Sequence, residues 1–396
     1  MTDTATRGAP ARPGALGRAA PALLGYAAVR ALGLAVLALW SAANGKSAHT
    51  LLTARWDALW YARIASGGYG YEVRLPSGDV HSDLAFFPLL PWLERMGAAV
   101  SPLSHADVGF LVSLCGSLAA AWGIFAVTEH LYGRRAGVCA VVLWAALPVG
   151  IVQSMAYSES LFTALAAWSL YAVLTGRWLS AGTLAALAGL TRPVGLAVAA
   201  AVWAAAFTAG GRTGSGGGRG GVPGPERAPG DGVRRALAVL LAPLGAAGYV
   251  LWVGHRTGAG PLGYLDVQAG WRNGFDGGLA FARFVGGRFA SFPSALAGAA
   301  LVAGVGLVGW LYVLCLRRRQ PLPLLVYAGI VTALALCASG YFGSKPRLLL
   351  PAFPLLLPPA VALAGLRTSR SALVLGGLAA VAAGYGAFWL NGSGPP

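Results

Sequence analysis

Charged side chains are scarce in this chain of 396 residues, since only 11% are Asp, Glu, Lys or Arg. A soluble domain usually carries about 25%. Hydrophobic residues make up 57% of the chain and form long runs without charge. Such runs exclude an ordinary soluble protein and predict a multi-pass membrane protein. They also lack the alternation of polar and apolar residues typical of barrel strands, which leaves helices as the spanning elements.

Carboxylates are the rarer charge, with 13 Asp and Glu against 29 Lys and Arg. Basic residues of membrane proteins gather on the cytoplasmic side, so the net charge of +16 does not require a nucleic-acid partner, and we expect none. The four cysteines all lie in apolar runs, without metal-site spacing and away from loops where a disulfide would form. The sequence indicates no certain cofactor and no metal ligands, although paired acids leave divalent-metal dependence undecided.

Eleven apolar segments are candidate membrane helices, at about 20 residues for each crossing and fewer where a segment is partly buried in protein. They are 20–43, 109–127, 136–153, 159–175, 179–190, 194–209, 236–254, 293–316, 321–340, 348–366 and 371–390. The fifth and sixth form either two spans or one re-entrant hairpin, because the fifth is short and Pro193 separates them. The sequence predicts a cytoplasmic tail at 1–19 and one polytopic domain over 20–396.

The charges predict an orientation for these segments. With the N-terminus in the cytoplasm, sixteen arginines fall in inner loops and every short inner loop is basic. Nine of the thirteen carboxylates then face outward, six of them in a large first outer loop at 44–108. The basic segment at 210–235 is rich in glycine without the strand and helix that flank a phosphate loop, which favours a flexible cytoplasmic linker.

The first outer loop opens with the unusual stretch RWDALWYARIASGGYGYE, which holds Asp57 between Trp56 and Trp60. Because Trp and Tyr favour the membrane–water boundary, 55–65 predicts a short interfacial helix, with Tyr61 one turn after Asp57. A carboxylate held at the mouth of a helix bundle would gain proton affinity by partial desolvation, which suits general-base catalysis. The alternative is an interfacial helix with a solvated aspartate.

The rest of this loop is rich in glycine and in apolar residues. The glycines at 67–70 allow tight turns, and the stretch AFFPLLPW at 85–92 is apolar. Exposed apolar patches rarely stay unpaired, so this stretch should pack back against the bundle or lie on lipid. Such packing would bring Glu72 and Asp83 near Asp57.

Four more charged residues lie at the outer ends of apolar runs. Glu159 begins one run, either as a carboxylate favoured by the helix dipole or as a member of a site. Arg192, Lys345 and Arg347 run against the orientation bias. A bound anion such as a lipid phosphate explains these cations, and snorkelling to the bilayer surface is the alternative.

Several of these stretches occur in the same order as in one known protein family. RWDALWYARIASGGYGYE, AFFPLLP, AYSESLF and LTRPVGL follow one another over most of 50–200. In that order they resemble the PIG-V-like mannosyltransferases, a family of the GT-C superfamily of integral membrane glycosyltransferases. KPRLLLPAFPLL resembles the late, substrate-facing segment of the same family. The resemblance implies an all-α, GT-C-like bundle of about eleven transmembrane helices, whose first outer loop contains short interfacial helices.

The resemblance also implies an activity. Such enzymes move a sugar, usually mannose, from a polyprenyl-phosphate donor to an acceptor hydroxyl on the extracytoplasmic face, commonly with inversion. The acceptor is a lipid, a glycan or a protein. The composition is typical of a GC-rich bacterial genome, so we expect a multi-pass protein of a bacterial plasma membrane with a cytoplasmic N-terminus.

Roles for individual residues follow from the motifs and from their expected place at the membrane edge. Asp57 is the expected general base, with supporting carboxylates at Glu72, Asp83 and Glu159. Cations expected at the donor phosphate are Arg192, Lys345 and Arg347. Aromatic residues expected to contact substrate are Trp56, Trp60 and Tyr61.

Two other functions are compatible with a polytopic chain. A transporter or flippase for a lipid-linked sugar would show matched halves and charges near mid-membrane. A non-catalytic scaffold would have no use for clustered outer acids. The large outer loop and its charges at the membrane edge favour the enzyme.

Overall fold

The computed structural model describes residues 14–211, 230–392 and 394. Most of the predicted tail at 1–19 and most of the predicted linker at 210–235 lie outside these residues. The described chain is almost wholly helical, with one small hairpin. The predicted class, an all-α membrane bundle with short helices in its first outer loop, is confirmed.

The first long helix leads directly into the first outer loop. This helix, α1, covers Ala15–Ala43. The loop that follows contains α2 (Ala48–Thr53), α3 (Asp57–Gly67), β1 (Glu72–Arg74), β2 (Val80–Ser82) and α4 (Leu89–Ala99). The two strands are antiparallel, with Glu72 opposite Ser82. The loop is therefore a folded unit that can hold side chains in fixed positions.

Five helices follow the first outer loop. They are α5 (His105–Tyr132), α6 (Arg134–Ala145), α7 (Ser158–Leu174), α8 (Trp178–Gly189) and α9 (Leu196–Gly211). Gly116 of α5 lets α7 approach closely, because a Cβ at this position would lie 3.1 Å from the backbone nitrogen of Leu161. Small residues at such crossings are what allows membrane helices to pack tightly.

The second half of the chain completes the bundle. Its helices are α10 (Asp231–Leu241), α11 (Leu244–Thr257), α12 (Gly263–Gly270), α13 (Leu279–Arg288), α14 (Ser294–Arg317), α15 (Leu322–Cys337), α16 (Lys345–Leu348), α17 (Leu357–Gly365) and α18 (Thr368–Asn391). The helical segments on either side of 349–352 are bent by 71°. The predicted span at 348–366 is thus broken near its start.

Within the described residues, five helical segments are long and apolar enough to cross a bilayer, or six if the bent pair counts as one span. They are Ala15–Ala43, His105–Tyr132, Asp231–Thr257, Ser294–Arg317 and Thr368–Asn391. Four shorter apolar helices have 10–17 residues. Each of the eleven predicted segments contains helix. Eleven crossings remain a prediction, because several of these helices are shorter than a bilayer core requires.

One end of the bundle collects arginines. The Arg134 side chain donates to the backbone oxygen of Arg18 at 3.1 Å, and Arg135 donates to the backbone oxygen of Leu366. The start of α1 and the loops before α6 and α18 therefore lie together. We call this the basic end.

The first outer loop lies at the opposite end, which we call the loop end. Here the backbone nitrogen of Ala156 donates to the backbone oxygen of Leu52 at 2.9 Å, and the amide of Asn391 lies 3.2 Å from the Ser41 hydroxyl. The end of α1, the loop before α7 and the end of α18 thus meet here. Each of these contacts joins segments that are predicted to lie on one side of the membrane, and the orientation itself stays a prediction.

Candidate functional site

Asp57 is the first residue of α3 and follows a strained turn. Trp56, immediately before it, has φ 52° and ψ −121°, a conformation that residues other than glycine rarely adopt. Such backbone costs about 1–3 kcal/mol and persists only where the surroundings hold it. The guanidinium of Arg55 covers the Trp56 ring at 4.0 Å. The turn therefore places the Asp57 carboxylate at the loop end in a defined direction.

Four charged side chains of alternating sign meet at this point, and we call them the four-charge cluster: Asp57, Arg347, Glu159 and Arg192. Arg347 Nη1 lies 2.8 Å from Asp57 Oδ2, and Arg347 Nε lies 3.2 Å from Glu159 Oε1. Arg192 Nη1 lies 2.5 Å from the same glutamate oxygen. The cluster joins α3, the start of α7, the loop after α8 and α16. Four of the predicted site residues are thus in direct contact.

The members of the cluster differ in exposure. The Glu159 side chain is 1% exposed, Arg347 10%, Arg192 13% and Asp57 27%. Asp57 is therefore the acid that a substrate reaches most easily. Glu159 is enclosed by two guanidinium groups, so its position suits holding them rather than reacting itself.

The contacts within the cluster are ion pairs that are not aligned as hydrogen bonds. Arg347 Nε and Nη1 and Arg192 Nη1 are buried, and no hydrogen-bond acceptor satisfies them in the described part of the chain. Buried polar groups are almost always satisfied, and an unsatisfied one calls for an explanation such as a ligand. These donors face carboxylate oxygens at 2.5–3.2 Å without good hydrogen-bond alignment, and two guanidinium groups so placed match the oxygens of a phosphate.

Aromatic side chains tie the loop to the cluster. The Tyr61 hydroxyl lies 2.8 Å from the Ser158 hydroxyl, next to Glu159. Trp60 stacks on Phe86 with ring centroids 5.6 Å apart and meets Trp271 edge-on at 5.0 Å. Trp60 and Tyr61, two of the predicted substrate-contacting residues, are therefore held in place on α3 by these contacts.

Glu72 and Asp83 contribute to the fold of the loop. Glu72 lies 4.0 Å from Arg74 and is half-exposed. Asp83 is buried and accepts hydrogen bonds from the backbone nitrogens of Gly70 at 3.0 Å and Tyr71 at 2.9 Å. Burial raises the pKa of the Asp83 carboxyl, although these amides act in the opposite direction. Neither acid forms an ion pair or hydrogen bond with the four-charge cluster over the described residues.

Lys345 lies two residues before Arg347 but points to a different environment. Its Nζ donates to the backbone oxygens of Ala335 at 2.9 Å, Leu336 at 3.2 Å and Ala338 at 2.7 Å. An ammonium group has three donors, so all of them are used. Lys345 therefore holds the end of α15, where a cation is favoured by the helix dipole.

Sequence reasoning missed Arg30, which binds the backbone between α6 and α7. This buried side chain of α1 donates to the backbone oxygen of Ala145 at 2.7 Å and to that of Gly150. It thus satisfies carbonyls where α6 ends and the backbone runs irregularly toward Glu159. Its signal in the sequence is that it is the single charge within the first apolar segment, and charges inside membrane spans usually have a specific partner.

The fold has counterparts among solved structures. ArnT from Cupriavidus metallidurans bound to undecaprenyl phosphate aligns with a TM-score of 0.51 and 15% identity, over 88% of this chain and 61% of ArnT. The chain therefore shares its fold with ArnT. The archaeal oligosaccharyltransferase AglB from Archaeoglobus fulgidus, in complex with an inhibitory peptide and a dolichol-phosphate, aligns with a TM-score of 0.48 and 13% identity, over 94% and 56%.

The chain thus spans less than two thirds of the length of these two structures. No family model and no curated protein sequence matches it. In this fold the four-charge cluster lies at the end of the bundle that carries the first large loop. Over the described residues, no group of three or more His, Cys, Asp and Glu lies together as a metal site would require.

Proposed function

We propose that the chain is a membrane glycosyltransferase that moves a sugar, mannose by its motifs, from a polyprenyl-phosphate donor to an acceptor hydroxyl. The four-charge cluster carries this proposal, because it sets a reachable carboxylate beside two largely buried guanidinium groups. A base next to a phosphate-binding pair is what transfer from a lipid phosphate requires. The choice of mannose rests on the resemblance of the motifs to those of the PIG-V-like family.

Asp57 is the proposed general base. It takes the proton of the acceptor hydroxyl while that oxygen attacks the anomeric carbon of the sugar. Before the donor binds, Arg347 pairs with Asp57 at 2.8 Å. A donor phosphate would compete for this guanidinium and free the carboxylate for the hydroxyl. Donor binding would thereby switch on the base.

Arg347 and Arg192 are proposed to hold the phosphate of the donor. As the bond between the anomeric carbon and the phosphate oxygen breaks, its electron pair stays on that oxygen. The phosphate diester becomes a monoester with additional negative charge, which the two guanidinium groups stabilise. Glu159 keeps both arginines in place. Inversion follows if the acceptor attacks the sugar face opposite the phosphate.

Trp56, Trp60 and Tyr61 are proposed to line the sugar and acceptor side of the site. Trp60 already lies among Phe86 and Trp271, so its ring is held in one orientation. Fixed aromatic rings position a substrate without a large loss of side-chain entropy. The glutamate of the first motif, Glu72, would act only from a distance, through its exposed position on β1.

The loop end is proposed to face the extracytoplasmic side. The basic end carries the arginines that mark cytoplasmic loops. This orientation leaves the N-terminus in the cytoplasm and opens the site to acceptors outside the cell. The acceptor would be a lipid, a glycan or a protein, and the host membrane a bacterial plasma membrane.

The first test replaces Asp57 by Asn in the full chain. Losing a general base lowers a rate by typically about 10²–10⁴-fold. Membranes supplied with labelled polyprenyl-phosphate mannose should transfer label to acceptor with the unaltered chain and fail to do so with Asp57→Asn. Asp266→Asn is the matched control, since Asp266 is an exposed acid of α12 in another predicted outer loop.

Two results would contradict the proposal. Full turnover by Asp57→Asn would remove the base assignment. Movement of intact labelled donor across the membrane, without any glycosylated product, would instead support the flippase alternative.

A further inference from the structure

A second group of cations lies at the loop end, outside the four-charge cluster. A cavity of ≈ 600 Å³ opens between the start of α2 and the end of α18. Its lining residues are Lys46, Ser47, Thr50, Leu51, Arg55, Asn391 and Gly392. Two of them are basic and none is acidic. The cavity therefore carries local positive charge and several neutral hydrogen-bonding groups.

Both cations make contacts with the end of α18 that leave most of their donors free. Lys46 Nζ donates to the backbone oxygen of Asn391, and Arg55 Nη1 donates to that of Leu390 at 3.3 Å. An ammonium has three donors and a guanidinium five. The described residues supply no further hydrogen-bond acceptor to either group. The hydrogen bond to the end of α18 thus uses one donor of each side chain and leaves the other donors available to an anion.

The cavity is linked to the proposed base through the chain itself. Arg55 lines the cavity and covers Trp56, whose strained turn precedes Asp57. A molecule with one end in the cavity therefore lies next to the segment that presents the base. The two arginines proposed for the donor phosphate are not among the lining residues.

We propose that this cavity binds an anionic phosphate group of the acceptor. The proposal rests on the proposed function, since it assigns the anion to the molecule whose hydroxyl Asp57 deprotonates. Two cations at one cavity give charge-assisted hydrogen bonds, which are stronger than neutral ones. The acceptor class is then an anionic headgroup or an anionic soluble glycan, with phosphate as the shared chemistry.

The binding test uses the purified full chain and needs no enzymatic activity. Native mass spectrometry compares short-chain phosphatidylglycerol with short-chain phosphatidylcholine, and glycerol 1-phosphate serves as a soluble competitor. We expect preference for phosphatidylglycerol, and about tenfold weaker binding in the Lys46→Gln, Arg55→Gln double variant. Gln keeps a donor for the α18 carbonyls. If glycerol 1-phosphate displaces the bound phosphatidylglycerol, the cavity recognises the phosphate alone. If phosphatidylglycerol stays bound, the cavity recognises a lipid headgroup.

The control is Arg74→Gln with Arg283→Gln, which removes two exposed charges from predicted outer segments away from the cavity. It should bind like the unaltered chain, and Lys46→Arg should keep binding within about threefold because the charge remains. Asp57→Asn should bind normally even though transfer is lost, which separates failure of this site from failure of the proposed activity.

Three outcomes would overturn the inference. One is equal binding of the two lipids without competition by glycerol 1-phosphate. Another is equal loss in the control pair, which would indicate general surface charge. The third is normal binding of the anion with no inhibition of sugar transfer by glycerol 1-phosphate or phosphatidylglycerol, which would remove the assignment to the acceptor.

Discussion

Two buried glutamates in different regions of the molecule show that burial alone does not make a functional site. Glu159 at the start of α7 is enclosed by Arg192 and Arg347. Glu94 in α4 is equally buried, but neither carboxyl oxygen has a hydrogen-bond partner in the described chain. It packs against Gly109 of α5, where a Cβ would collide with it. An anion held by cations can take part in chemistry, whereas a carboxyl without partners is kept neutral.

The largest effect should come from breaking the paired glutamate. Glu159→Ala would leave two buried guanidinium groups without their acid, and breaking a buried pair costs about 3–5 kcal/mol. We expect a markedly lower thermal unfolding temperature in detergent and no sugar transfer. Glu129→Ala is the control, because Glu129 pairs with a half-exposed arginine at the basic end and should change stability by less than about 1 kcal/mol. Equal losses in both variants would contradict the comparison.

Replacing Glu94 should stabilise the chain, which is the opposite of the effect expected at Glu159. Burial raises the pKa of Glu94 from its ordinary value of 4.5 to about 9. The folded chain holds this proton more tightly than the unfolded chain does, so stability falls as pH rises from about 4.5 towards 9. Glu94→Gln mimics the neutral acid. It should gain on the order of 2–4 kcal/mol at pH 7 and nothing at pH 4.

Thermal unfolding across this pH range checks the Glu94 prediction. The difference between the variant and the unaltered chain should grow steadily with pH. If the two curves run parallel from pH 4 to pH 9, then Glu94 is ionised in the folded chain and an unseen partner must hold it.

The smallest expected effects distinguish the roles of two neighbouring cations, Arg347 and Lys345. Arg347→Lys keeps the charge but loses the planar fork that binds phosphate, so apparent donor affinity should weaken about tenfold. Lys345→Gln should lower stability, because three carbonyls at the end of α15 lose their cation, while donor affinity stays unchanged. Titration of labelled donor in membranes measures both. Weaker donor affinity in both variants would restore a phosphate role to Lys345.

Much of the architecture was predictable because hydropathy is local. Each predicted apolar segment contains helix, and the loop at 44–108 contains the short helices expected of it. The motifs singled out all four members of the four-charge cluster. They did not predict that Glu159 contacts both arginines, or that Lys345 turns to backbone carbonyls, since such contacts depend on how α7, α15 and α16 pack.

By itself the sequence determined the membrane class, the loops that form the basic end and the residues worth testing, because burial in lipid and loop charge depend on composition along short stretches. Only the tertiary structure decided which acid stays reachable, which cations keep free donors and which charges lie against backbone. Asp57 and Arg347 stand far apart in the chain, and their contact arises where the strained turn at Trp56 meets the broken helix at 342–356. A pairing of that kind is set by packing geometry, which no local pattern encodes.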